Sequence, residues 1–126
     1  MTVVLDSWAV LRWLEGQEPA AQRVETAVAD GAVMSWINLG EVFYVIWRIS
    51  GEAVARDTVA DIRARITLDE ATPERVMAAA RIKAEFPMAL GDGFAAATAI
   101  AHDAALLTGD PELFDRGGEW RTEDLR

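Results

Sequence analysis

The sequence contains no cysteine, a single histidine and a single lysine. Without thiols there is no disulfide, no thiolate metal ligand and no cysteine nucleophile, and nothing asks for an oxidising compartment. One histidine is too few for zinc, whose sites are built largely from cysteine and histidine. His102 is read instead as a helix-end residue beside the negative pole of the helix dipole. Long apolar runs are also missing: no stretch approaches the roughly 20 residues of a membrane span. The opening MTVVLDSWAV has no basic leader and is interrupted by Asp6. A cytoplasmic domain without signal peptide or membrane contact is therefore expected.

Positive charge is scarce, with 12 Lys and Arg against 21 Asp and Glu and a net charge of −9. That balance speaks against a nucleic-acid ligand if the acids are spread evenly, because phosphate binding rests on cationic contacts. Acids gathered around divalent cations attract phosphate instead. All the bases but Lys83 are arginine, the side chain suited to bidentate phosphate contact. A chain of 126 residues that is 52% hydrophobic holds enough apolar surface for one core, so residues 1–126 are read as one domain.

Val3-Val4-Leu5 is too short for a helix and reads as a buried parallel strand ending at Asp6. Ser7 is placed to cap a helix carrying Trp8, Leu11 and Leu14 on one face, and Gly16 ends it. A second helical pattern opens at Pro19 and stops at Asp30-Gly31, before a strand at Ala32-Val33-Met34-Ser35. Asn38 and Glu41 have the spacing of a capping box for a helix to Ile49. Glu52 to Ile66 is again helical, with Val54, Ala55, Val59 and Ile62 spaced for one buried face. Ile66-Thr67-Leu68 reads as a third strand, and Thr72 caps the helix from Glu74 to about Glu85. An alanine-rich helix then opens with Asp92 and turns at His102-Asp103. The apolar run Ala104 to Leu107 follows, stopping at Thr108-Gly109-Asp110. Pro111 to Phe114 is a single helical turn, and a weak last strand lies near Trp120. Short strands alternating with helices predict an α/β sandwich with a mostly parallel sheet, whose ligands sit beyond the carboxyl ends of the strands.

Four acids fall at that edge: Asp6 after the first strand, Glu41 early in the helix after the second, Asp92 at a helix start, and Asp110 after the following strand. Each alone has a structural explanation, since acids cap helices and complement their dipoles, and Asp110 before Pro111 is a ready cap. Together they would repel one another and raise one another's pKa unless a cation neutralised them. A hard divalent ion such as Mg²⁺, which takes a few carboxylates and completes its shell with water and phosphate, resolves the repulsion.

On these residues the chain resembles a PIN-domain nuclease, specifically the small VapC-type toxins of bacterial toxin–antitoxin pairs. The resemblance rests on VVLDSWAVL, on SWINLGEVFYV with Glu41, and on LGDGFAAATAIAHDAALLTGD with Asp92 and Asp110. It implies an α/β/α sandwich, Mg²⁺ or Mn²⁺, and hydrolysis of RNA to products with a 5′-phosphate and a 3′-hydroxyl. Asp6, Glu41, Asp92 and Asp110 match the family's acidic quartet, as catalytic and metal-binding residues alike. Ser7 and Thr108 match small hydroxyl positions beside it, with auxiliary roles in orienting waters or ligands. The chain departs from the commoner pattern at Gly93, where alanine is usual, and at Ala89-Leu90-Gly91, where a Ser-Leu-Ala-like lead-in is common. Glycine at position 93 weakens the helix start by up to about 1 kcal/mol relative to alanine.

Arg12, Arg48 and Arg116 are candidates for RNA contact. Five tryptophans in so short a chain exceed what a small core hides, because each indole N–H wants a partner. Trp8, Trp13, Trp36 and Trp47, with Phe43 and Tyr44, lie where the resembling toxins receive an antitoxin helix and pair with themselves, so an antitoxin partner and a homodimer are expected. A catalytically silent PIN-like module that binds RNA or sequesters an antitoxin is the alternative. A DxD phosphatase fits poorly, since Trp8 stands where its second acid belongs. A receiver domain fits poorly too, since it wants a late lysine and the only lysine here, Lys83, precedes the key stretch.

Overall fold

The computed structural model describes residues 2–126. Five strands, β1 (Val3–Leu5), β2 (Ala32–Ser35), β3 (Thr67–Asp69), β4 (Leu106–Thr108) and β5 (Thr122–Asp124), form one sheet in the order β3-β2-β1-β4-β5. Every neighbouring pair is parallel. Six helices connect them: α1 (Ser7–Leu14), α2 (Ala20–Asp30), α3 (Trp36–Ser50), α4 (Glu52–Arg65), α5 (Pro73–Glu85) and α6 (Leu90–Ala101). The chain is a single α/β sandwich, as its alternating pattern predicts.

Strand side chains alternate between the faces of a sheet, and the two faces take different helices. Val3, Leu5, Ala32, Met34 and Leu107 pack with Val24 of α2, Leu39 and Val42 of α3 and Ile62 of α4. Val4, Val33 and Leu106 face the other way, onto Ala95, Ala96 and Ala99 of α6. Helix α5 lies outside α6, with Ala79 against Phe94 and Ala97. Leu5, Met34, Leu106 and Leu107 are completely buried, and truncating one such side chain to alanine costs about 2–5 kcal/mol.

The helix starts differ in detail from the sequence reading. Asp6, not Ser7, caps α1, and Ser7 is its first residue. Ser35, not Asn38, caps α3, its hydroxyl accepting from the Ile37 N–H. Helix α6 begins at Leu90, two residues before Asp92, and its cap residue Ala89 offers no side-chain acceptor. The fourth strand starts at Leu106 rather than Ala104, and the last lies at Thr122–Asp124 rather than near Trp120. Val54 is exposed because α4 turns only Ala55 and Ile62 fully inward.

The strand order decides where a site can form. From β1 the chain steps outward to β2 and β3, then crosses back to β4 and β5 on the other side. The loops after β1 and β4 therefore diverge over the reversal point, leaving a crevice at the carboxyl edge between them.

Candidate active site

Asp6 and Thr108 meet in that crevice because of strand register. Leu5 of β1 pairs with Leu107 of β4, so the next residue of each strand arrives side by side. The Thr108 hydroxyl donates to Asp6 Oδ2, and the Ala9 N–H donates to Asp6 Oδ1 at 2.8 Å. The carboxyl is only 2% exposed. Burial pushes its pKa up to about 7; the two donors oppose that rise, and the negative charges of Asp110 and Glu41 add to it. Asp6 is thus both a helix cap and a carboxyl held at an uncompensated negative centre.

Asp110 begins a 3-10 turn over Pro111–Leu113, its Oδ1 accepting from the Glu112 N–H at 3.0 Å. Its own N–H donates to Thr108 Oγ1, also at 3.0 Å, so one hydroxyl braces both acids. Gly109 between them leaves room for the Trp8 ring, which occupies the space a Cβ there would need.

Asp92 sits half-buried in the first turn of α6. Desolvation pushes its pKa up to about 8, with further upward contributions from a hydrogen bond to Glu112 and from Asp110 and Asp6. The exposed Glu112 is held below the usual carboxylate range by the same hydrogen bond and by the Ala89 N–H, which donates to it at 3.2 Å. One ligand oxygen each from Asp92, Asp110 and Glu112 lies within 4.8 Å of the others.

Glu41 approaches from α3, near enough for its charge to bear on Asp6. Its Oε1 accepts from Asn38 Nδ2 at 2.8 Å, and its carboxylate fills the space beside Gly91 at the start of α6. Among the described residues no ion pair joins Asp6, Glu41, Asp92 or Asp110 to an arginine, lysine or histidine. The donors are all carboxylate oxygens, the ligand set of a hard divalent cation, and their charge lacks a protein partner.

Glu112 is the acid that the sequence reading missed. The signal available was an acidic residue two positions after Asp110, which the helical turn there explained equally well. Of the candidate arginines only Arg116 touches the site's segment, its Nε donating to the Glu112 carbonyl at 2.9 Å. Arg12 lies over the Trp8 ring and Arg48 over Tyr44. His102 lies elsewhere, 2.8 Å from Asp69, which Arg75 also holds. A cleft of about 410 Å³ lined by Arg75, Arg81, Phe86 and Trp120 contains none of the acids; the acidic cluster is defined by converging donors, not by a deep cavity.

The model of the PIN domain family matches residues 3–119. The chain belongs to the PIN domain family. Among solved structures, this PIN domain superimposes on VapBC from Salmonella typhimurium bound to DNA with a TM-score of 0.80. The two are 18% identical, and the match covers 100% of this chain and 99% of that one. VapBC2 from Rickettsia felis, bound to a fragment of its promoter, also gives 0.80 at 16% identity, with full coverage of both chains. VapC20 of Mycobacterium tuberculosis, described as a sarcin-ricin loop cleaving toxin, gives 0.73 at 14% identity, covering 91% of this chain and 95% of that one. No curated protein matches the sequence. Likeness at these identities establishes a common PIN fold. Among the described residues no helix is long and apolar enough to cross a membrane.

Proposed function

We propose that this PIN domain is a divalent-metal-dependent endoribonuclease and the toxin of a toxin–antitoxin pair, acting in the cytoplasm. The observation that carries the reading is the convergence of Asp92, Asp110 and Glu112 within 4.8 Å, beside a buried Asp6; among the described residues no ion pair neutralises Asp6, Asp92 or Asp110. Mg²⁺ or Mn²⁺ suits carboxylate donors: Asp92, Asp110 and Glu112 lie close enough to share an ion, and Asp6 and Glu41, outside that group of three, would complete the set with Asp92 and Asp110. A bound ion supplies positive charge that stabilises an in-line displacement at phosphorus.

The chain's own residues do the rest. Thr108 and the Ala9 N–H fix the orientation of Asp6, and Thr108 also anchors the backbone of Asp110. Asp92, whose carboxyl is pushed up by burial, would hold a bound cation in its ionised form. Positive charge supplied by such an ion would draw RNA phosphate to an acidic protein, with Arg116 beside the cluster as a local contact. The products carry a 5′-phosphate and a 3′-hydroxyl.

An antitoxin as partner is supported by relatives solved as toxin–antitoxin complexes and by the surface itself. Leu14, Tyr44, Trp47, Ile49 and Val54 stand at least 41% exposed on α1, α3 and α4. This surface suits an apolar partner helix, and the same early helices, with Trp47 and Tyr44 exposed, are where a second copy of this chain would pair.

The deciding experiment is RNA cleavage by purified protein with Mn²⁺, with EDTA, and after Asp6→Asn or Asp92→Asn. Cleavage that needs the ion and is lost in both variants is expected; undiminished cleavage by either variant overturns the reading. No cleavage by the wild-type chain, with retained RNA or antitoxin binding, favours the catalytically silent module.

A further inference from the structure

Asn38 is 1% exposed, and both hydrogen bonds of its side chain go to Glu41 and to the start of α6 beside Asp92. Its Nδ2 donates to Glu41 Oε1 at 2.8 Å and to the Gly91 carbonyl at 3.0 Å, while its Oδ1 has no partner. Both neighbours are acceptors, so the amide has only one tenable orientation; turning it over sets oxygen against oxygen. Helix α3 is already capped by Ser35 and does not need Asn38 for its start. An apolar side chain of similar size would fill the same volume without stranding a buried oxygen, which is costly. Stability therefore does not account for an amide here.

We propose that Asn38 is the positioning residue for Glu41, its buried amide tying the Glu41 carboxylate to the backbone at the start of α6, beside Asp92. Glu41 has a long side chain that is only half-buried, and such a chain samples many rotamers unless it is held. The Asn38 amide provides the hold, and Gly91 provides the seat, since a Cβ at that position would collide with the Glu41 carboxylate. Because Asn38 bonds α3 and α6 at once, it sets how far Glu41 stands from Asp92. This inference rests on the reading of the cluster as a metal-dependent nuclease centre, and it adds a residue that touches neither ion nor RNA.

The test compares wild type, Asn38→Leu, Glu41→Ala and the double variant by Mn²⁺ binding, followed by electron paramagnetic resonance, with crystal structures of the first two. In Asn38→Leu the Glu41 carboxylate is expected to leave Gly91 while the backbone of residues 36–41 and 90–93 stays in place. Mn²⁺ affinity should fall about tenfold, the scale of a lost outer-shell partner. Adding Asn38→Leu to Glu41→Ala should weaken binding no further. Glu41 remaining beside Gly91 in the variant, or affinity losses that multiply in the double variant, overturns the proposal. Should Asn38→Leu fail to fold, Asn38→Ala, which removes the donor without adding bulk, carries the same comparisons. If the wild-type chain neither binds Mn²⁺ nor cuts RNA, the nuclease reading falls, while the position of Glu41 in the two crystals still decides the role of Asn38.

Discussion

Thr108 and Asp6, 102 positions apart in the chain, meet as hydroxyl donor and carboxylate acceptor at the adjoining ends of β4 and β1. Replacing Thr108 with valine keeps the shape, deprives buried Asp6 of one of two donors and leaves the Asp110 N–H without its acceptor. A buried group stripped of its partner costs about 1–3 kcal/mol. Urea unfolding of metal-free Thr108→Val should show a loss of that size, with Thr108→Ser recovering most of it. Equal midpoints for valine and threonine would mean that the bond contributes nothing.

The same burial dictates how stability responds to pH. The carboxyls of Asp6 and Asp92 are pushed up to about 7 and about 8, whereas an unfolded Asp titrates near 3.9. The folded state thus holds protons that the unfolded state has released. Stability from these groups is fully present below about pH 4 and is lost as pH rises through 7 and 8. Asp69, lowered by Arg75 and His102 against the opposing effect of its burial, works the other way, but only in the acid range below its unfolded pKa. Thermal melts without metal should therefore peak near pH 5 and decline toward pH 9. Asp6→Asn should flatten the decline. A melting temperature that climbs steadily from pH 5 to pH 9 in metal-free wild type would contradict the assignment.

Much of the candidate site is legible in the sequence, and the failures have physical causes. Asp6 and Asp110 follow apolar runs too short for helices, so their place at strand ends could be read directly. Asp92 was recognisable near a helix start. Glu112 was not, because only the fold brings the Ala89 N–H and Asp92 to it from a different segment. Asn38 was legible as a polar residue near a helix start but assigned the wrong duty. Spacing alone cannot distinguish a cap from a buried amide aimed at another helix. Val54 had core spacing, yet α4 packs along one edge only and leaves it 48% exposed.

Two glycines flank Asp92, and their substitution should give opposite kinds of damage. A Cβ on Gly91 meets the Glu41 carboxylate, the movable end of a side chain, so Gly91→Ala should fold normally and displace Glu41. A Cβ on Gly93 meets the Ala79 carbonyl oxygen of α5 at 2.8 Å, which is backbone and cannot swing away. Alanine at position 93 therefore forfeits the roughly 1 kcal/mol it gains in helix propensity and strains the α5–α6 packing. Melting should be lowered for Gly93→Ala and near wild type for Gly91→Ala, while Mn²⁺ binding weakens in Gly91→Ala. The reverse pattern would show that the close approaches do not govern these positions.

Glu112 combines a structural and an electrostatic task, and one substitution tests both. Its carboxylate accepts from the Ala89 N–H at a helix start that lacks any side-chain cap, and it adds to the rise of the Asp92 pKa that burial starts. Glu112→Gln keeps an acceptor for Ala89 but removes the negative charge, so α6 should retain its stability and the Asp92 carboxyl should titrate lower. Two effects then compete for the cation: a more readily ionised Asp92 favours binding, and the loss of one carboxylate oxygen from the cluster opposes it. The second should dominate, because Glu112 stands within ligand distance of Asp92 and Asp110 and lost metal-site partners cost about tenfold or more in affinity. Mn²⁺ titration should show that loss even at pH 8, where wild-type Asp92 is only about half ionised. Unchanged or tighter binding would confine Glu112 to capping α6 and leave the cation to the other four acids.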